Sequence, residues 1–489
     1  MIGIRPEIVD SARALGHHDA ASIPEAWKPV GARSEWRNLM SGGTRSNPAR
    51  RLVLVASVAT FVLLSRWPIT AAPPATRPED VGLSTDRLQR IGELVQRHIQ
   101  AGSFSGAVTL VARHGRIAYH EAYGLMDVEA KKPMIKDGIF RIMSMTKPVI
   151  GVAVLMMMEE GKVHLQDPIS RFIPEWKNMT VAVPLPAPTV GRGNAAPTAA
   201  APGGTGGRGA PEEPRYYTVP AEREVTVRDL LTHTSGLVSG PISGFVNRSV
   251  AAGPKETLAD YVPRLGKVPL EFQPGTRWAY SATAGFDTLS RVVEVASGMP
   301  IDRFLKQRVF EPLQMKDTTY IPPNGSLRLV KLYSRTPDGL KPARDPGFMT
   351  DVYFSGGGGL FSTAEDYAQF AMMLVNGGEW NGRRLLSPRL VELMGSVFAP
   401  DTLPGRPRGE AYGLSVRVVT DPVARNSFLS EGSFGWSGAF GTHFWVDRKE
   451  KLIGIAMTQT SNQDFLRDFE NMVMQAVVAT TPAHVGGAN

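Results

Sequence analysis

Ser144 and Lys147 stand three residues apart at the head of a long apolar stretch. A serine hydroxyl is a weak nucleophile until a base removes its proton. A lysine serves as that base where burial, or the positive end of a helix, makes its charged form costly to hold. Residues 149–158 contain no polar side chain, so a helix through them leaves no face for water and belongs inside a sizeable domain. Gly161 supplies the helix stop, and Pro148, lacking an N–H, fits only near the start. Ser144 is therefore predicted at or just before the first turn, with both side chains on one face. The spacing alone equally suits an ordinary helix cap.

Two later stretches could complete such a site. Tyr280 lies between a Pro274-Gly275 turn and a predicted helix. Beside Lys147, its phenol could pass the serine proton to a leaving group. A loop tyrosine packed by its ring fits the same pattern. Gly435-Trp436-Ser437-Gly438-Ala439 precedes a predicted strand pair. Glycine there lets a strand-edge backbone approach a ligand, and an amide from this strand, with that of Ser144, could hold an oxyanion. The run also falls one residue short of the Gly-x-Ser-x-Gly nucleophile elbow. That elbow needs a following helix and a late Asp then His, whereas strand follows here and only His443 and His484 lie downstream.

Composition permits a large core and excludes several chemistries. The 489 residues are 42% hydrophobic and 20% charged, an ordinary globular balance. Half of the net charge of +8 lies in residues 1–72, which hold nine Lys and Arg against five Asp and Glu. The remainder is thin and unclustered, so nucleic-acid binding is not indicated. The absence of cysteine removes thiolate nucleophiles, disulfides and Cys-ligated metals. The histidines lack close metal-ligand spacing, so no metal or other cofactor is expected.

Arg50-Arg51 precede a thirteen-residue apolar run, 52–64, closed by Ser65-Arg66. The run is short of the roughly 20 residues a membrane span needs. It fits a secretory signal at 50–72, with Thr70-Ala71-Ala72 as small residues for cleavage; a buried helix is the other reading. Residues 1–49 form an extension that is long for a signal, and Met40 would give a normal basic lead. The mature protein is expected to begin near Pro73, in the periplasm or secreted, without a stable membrane span.

Residues 83–99 read as an amphipathic helix with Leu88, Ile91, Leu94 and Val95 in one stripe and Ser84, Thr85 or Asp86 as cap. Residues 105–113 and 116–123 flank His114-Gly115 as a hairpin. After the 141–161 helix, residues 182–213 carry almost no large side chains and read as a disordered surface loop. Helices are predicted from 226 and over 284–295, 301–310 and 363–376. Four glycines at 356–359 mark a close backbone approach or a sharp turn. A second hairpin, 441–446 and 451–458, and a helix over 464–478 follow. Strands at both ends with helices between predict an α/β domain, 73–140 and 352–482, interrupted by a mainly helical one, 141–351.

Taken together, Ser144-x-x-Lys147, the Tyr280 loop and the glycine-rich strand at 435–439 resemble the serine β-lactamase/penicillin-binding-protein superfamily. Within it the chain is most similar to the family VIII carboxylesterases, which are related to class C β-lactamases. Leu230-Leu-Thr-His-Thr-Ser-Gly-Leu237, Pro274-Gly-Thr276 and the glycine run are familiar in that group. The resemblance implies an α+β, β-lactamase/transpeptidase-like fold, an antiparallel sheet flanked by helices plus the inserted helical domain. It implies Ser144 as acylated nucleophile, Lys147 and Tyr280 as the proton-handling pair, and the amides of Ser144 and Ala439 as oxyanion hole. Trp436, Ser437, Gly438 and Ala282 would line the substrate site.

Two positions depart from the family pattern. The second motif usually ends in Asn, where Ala282 has no side-chain hydrogen bond to give. The third motif is usually Lys-Thr-Gly in β-lactamases and often Trp-Gly-Gly in the esterases; Trp436-Ser437-Gly438 carries no charge. A neutral, aromatic lining suits uncharged esters over anionic lactams. The expected protein is an exported serine hydrolase acting on a small ester or amide. A β-lactamase or D-alanyl-D-alanine peptidase, and a catalytically weak binding or sensor protein, are the alternatives.

Overall fold

A computed structural model describes residues 76–186, 213–323 and 325–479. The apolar run at 52–64 and the expected cleavage region lie outside them. The chain divides between Pro74 and Ala75, and every described residue belongs to the second unit, Ala75–Asn489. Among the described residues no helix is long and apolar enough to cross a membrane.

The first hairpin forms where its turn chemistry allows. β1 (Gly106–Arg113) and β2 (Arg116–Asp127) pair antiparallel across His114-Gly115. The two turn residues have φ of +53° and +75°, the successive positive values that a type I′ turn requires. A short β3 (Lys132–Pro133) continues beyond β2. The C-terminal third supplies β4 (Glu410–Tyr412), β5 (Arg417–Val419), β6 (Phe434–Ser437), β7 (His443–Asp447) and β8 (Leu452–Met457). The eight strands form one antiparallel sheet in the order β4-β5-β6-β7-β8-β1-β2-β3. Its first and last segments join where β1 pairs with β8, Val108 opposite Met457 through Arg113 opposite Leu452.

Every residue of β1 is buried, so the strand is covered on both faces. Val108, Leu110 and Ala112 enter one core, and Ala107 and Val111 enter another. α1 (Thr85–Gln100) and α6 (Gln463–Met474) build the second core with the stripe Leu88, Ile91, Leu94 and Val95. Ser84 caps α1 by accepting from the Arg87 amide. On the other face lie α2 (Thr146–Glu159), α3 (Val227–Leu231), α4 (Ala284–Ser297) and α5 (Ala364–Val375). α4 ends at Gly298 with φ +72°, and Thr363 caps α5.

α2 is buried from Thr146 through Met157, as an all-round apolar helix must be. It is shorter than the 141–161 reading. Phe140–Arg141 instead pairs as a strand with Phe361–Ser362, and Met143–Met145 form a 3-10 turn. Met143, at φ +48°, cannot continue a right-handed helix. The stretch 182–213 also differs at its start: Thr180–Pro184 pairs with Tyr216–Pro220 in a two-stranded ribbon. Its partner strand brings Tyr216 and Tyr217, the large side chains that the stretch lacks, and residues 187–212 lie outside the described set.

Candidate active site

Ser144 occupies the 3-10 turn that enters α2, half-buried between a phenol and an amine. Tyr280 donates its phenolic proton to Ser144 Oγ at 2.7 Å. Lys147 Nζ lies 3.2 Å from the same oxygen. Lys147 is fully buried one helical turn on, and its amine also meets the Ala282 carbonyl at 2.6 Å and the Gly357 carbonyl at 2.7 Å. The rings of Tyr280 and Phe286 lie 4.9 and 5.6 Å from that nitrogen. Ser144, Lys147 and Tyr280, far apart in the chain, therefore meet as the sequence motifs require.

Ala282 takes part through its backbone. The side chain offers no hydrogen bond, but the carbonyl oxygen accepts from Lys147. Gly357 supplies the second carbonyl, and only glycine fits there, since a Cβ would come within 2.4 Å of Thr283 Cα. The glycine run thus lies directly on the start of α4. Behind it, the Asp287 carboxyl accepts from the Gly357 amide at 3.1 Å, Ser355 Oγ at 2.7 Å and Tyr353 OH at 2.8 Å. Burial pushes this carboxyl above its usual range.

His233 holds the tyrosine loop. Its carbonyl accepts from the Ala279 amide and its Nδ1 from the Ser281 amide, so it brackets Tyr280. Its ring lies 4.6 Å from that of Tyr280. Burial pushes the imidazole well below its ordinary value, with Lys147 and Arg406 adding to the effect. A neutral ring with Nδ1 accepting carries its proton on Nε2. The backbone at His233 has φ +56°, a conformation costly for a non-glycine residue.

β6 closes the other side. Trp436 packs against Tyr280 and Tyr412, with ring centroids 5.6 and 5.1 Å away. Gly438 lies where a Cβ would be 2.3 Å from the Ile142 carbonyl oxygen. Thr442 Oγ1 donates to that same oxygen at 2.9 Å, pinning the strand to the turn that carries Ser144. Among the described residues neither the Ser144 nor the Ala439 amide donates within the protein. Ser437 directs its hydroxyl to His443. The chain after β6 turns into strand β7, so the strand-to-helix form of a nucleophile elbow is absent there.

The two carbonyls, Asp287, His233 and the partners of Ser437 escaped the sequence reading. The glycine run and the Leu230–Leu237 stretch were visible as features, but their targets lie too far along the chain for any local pattern to name.

The chain is similar to known proteins over most of its length. Residues 91–479 match the Beta-lactamase family model. Protein Rv1367c of Mycobacterium tuberculosis is 35% identical over 379 residues, spanning 73% of this chain and 86% of that protein. Esterase EstB of Burkholderia gladioli is 28% identical over 398 residues, spanning 76% and 90%. The solved structure of EstCE1, a hydrolase with promiscuous acyltransferase activity, is similar with a TM-score of 0.64 at 25% identity, covering 81% of this chain and 99% of that one. With a family match over most of its length and the fold shared by its relatives, this chain belongs to the Beta-lactamase family and is a serine hydrolase.

Proposed function

We propose that the protein cleaves small carboxylic esters through an acyl-Ser144 intermediate. The convergence of Tyr280 and Lys147 on Ser144 Oγ, at 2.7 and 3.2 Å, carries this reading. Ser144 Oγ attacks the ester carbonyl carbon while its proton passes to Lys147 Nζ. The carbonyl oxygen takes up the negative charge and is received by the Ser144 and Ala439 amides. The bond to the alcohol oxygen then breaks, and that oxygen takes a proton from Tyr280, which Lys147 replaces. Water repeats the sequence on the acyl-enzyme and releases the acid.

The lining favours an uncharged substrate. Where β-lactam binders usually place a cation, Trp436 packs its ring on Tyr280 and Tyr412. The similarity to EstB and EstCE1 supports the same choice. The kcat/KM for p-nitrophenyl butyrate should exceed that for a chromogenic cephalosporin by at least about tenfold. The opposite order would make the protein a β-lactamase or peptidase. A fluorophosphonate should add one equivalent to the wild type and none to Ser144→Ala; an unmodified wild type would leave a binding protein. Export is part of the proposal and rests on the 50–72 signal pattern. Protein recovered outside the cytoplasm should begin near Pro73, and a chain still carrying Leu52 would count against cleavage.

A further inference from the structure

A second hydrogen-bonded line begins beside Trp436. Ser437 Oγ lies 2.8 Å from His443 Nδ1, and His443 Nε2 lies 3.0 Å from Glu470 Oε1. The three residues come from β6, β7 and α6. His443 and Glu470 are each 1% exposed, whereas Ser437 is half-buried. Glu470 also receives Arg417 at 2.6 Å and Arg425 at 2.9 Å, and Arg425 reaches Glu410 at 2.6 Å.

The donors along this line can be assigned. Burial opposes ionisation of Glu470, but Arg417, His443 and Arg425 outweigh it and hold the carboxyl well below its usual range. A carboxylate only accepts, so His443 Nε2 carries a hydrogen. Burial pushes the imidazole below its ordinary value, Glu470 pulls the other way, and Arg417 and Arg425 add to the lowering. The neutral ring has one N–H, which Glu470 takes, so Nδ1 is a lone pair and Ser437 is the donor to it. The Ser437 oxygen then has only lone pairs to offer.

The strand around Ser437 is open. β5 pairs with β6 at Phe434 and Gly435 and no further, so the edge beyond Gly435 is not covered by β5. Ser437 sits there between Trp436, which leans on Tyr280, and Gly438, which lies against Ile142.

We propose that His443, fixed by Glu470, is a positioning residue that makes the Ser437 hydroxyl a hydrogen-bond acceptor for substrate, so that preferred acyl groups carry an N–H or O–H donor. This rests on the ester-hydrolase reading above. A second Ser-His-Glu nucleophile is the competing use of the same atoms. It is disfavoured because two guanidiniums already neutralise Glu470, leaving little charge to stabilise an imidazolium.

Two isosteric probes test the inference: p-nitrophenyl N-acetylglycinate, which carries an N–H, and p-nitrophenyl 4-oxopentanoate, which has a methylene in its place. Ser437→Ala should lower the ratio of kcat/KM for the first probe to that for the second about tenfold. His443→Gln should reduce the same preference. The wild type provides a check free of folding defects. As pH falls below the ordinary histidine range, His443 gains its second N–H and donates to Ser437, so the preference for the N-acetylglycinate should collapse. Equal losses on both esters, no loss on either, or a pH-independent preference would overturn the proposal. So would a fluorophosphonate adduct on Ser437 in Ser144→Ala. A wild type that hydrolyses neither ester and takes no fluorophosphonate would remove the hydrolase reading, and this inference with it.

Discussion

Tyr280 does two separable things, because its hydroxyl touches Ser144 while its ring touches Lys147, His233 and Trp436. Tyr280→Phe keeps the ring contacts and removes the proton. It should lower kcat by about 100-fold or more, with KM and thermal stability little changed. A parallel rise in KM would mean the ring, not the proton, was the contribution. Ala282 separates differently. Its contact to Lys147 is made by a backbone oxygen, so Ala282→Ser should retain kcat within about threefold. A loss as large as that of Tyr280→Phe would show that the side chain matters after all. The residue types able to do chemistry were legible, since Ser144, Lys147 and Tyr280 carry reactive groups in recognisable runs. The carbonyls that hold Lys147 were not, because every residue has one.

Among the elements, α2 and β6 place the nucleophile. The apolar run that forms α2 is buried on all sides, so its N-terminal turn can sit only where the core ends. β6 comes close enough to that turn because position 438 has no side chain. Gly438→Ala would put a Cβ 2.1 Å from Thr442 Oγ1 and 2.3 Å from the Ile142 carbonyl oxygen. The strand must then move away from Ser144, and the Ala439 amide with it. The variant should fold with a lower Tm, and kcat should fall more than about tenfold. Full activity would show that Ala439 does not serve the oxyanion. The helix periods and hairpin turns were readable, because each depends on neighbours within a few residues. The shortened start of α2 was not, since the pairing of Phe140–Arg141 with Phe361–Ser362 is remote.

Across the described residues, the buried Arg113 ties the first part to the last. Arg113 donates to the carbonyls of Val81, Gly82, Glu450 and Ala479 and to the Glu450 carboxylate at 2.7 Å. Arg113→Met should cost about 3–5 kcal/mol in urea unfolding, because it strands those acceptors and a carboxylate. Stability should also depend on pH with a definite sign. His233 and His443 lie below their ordinary value because burial disfavours the imidazolium. Unfolding releases that constraint, so their contribution is present above about pH 6.5 and is lost as pH falls below it. Glu470 lies below its ordinary value, so its contribution is present above about pH 4.5 and fades under more acid conditions. Asp287, raised by burial, acts in the opposite direction in the acid range. The urea midpoint should be highest near pH 7–8 and fall between pH 6.5 and 5. A flat profile there would contradict the buried, neutral histidines.

Local order in the chain determined the main helices, the two hairpins and the reactive residue types, because hydrophobic period, capping and turn chemistry act over a few residues. Tertiary structure alone decided which backbone atoms hold Lys147, since Ala282 and Gly357 lie 135 and 210 residues from it. The same holds for the line from Ser437 through His443 to Glu470, which two strands and a helix bring together. Hydrogen bonds act only at contact distance, and contact between remote segments is set by packing of the entire unit rather than by any one stretch of chain.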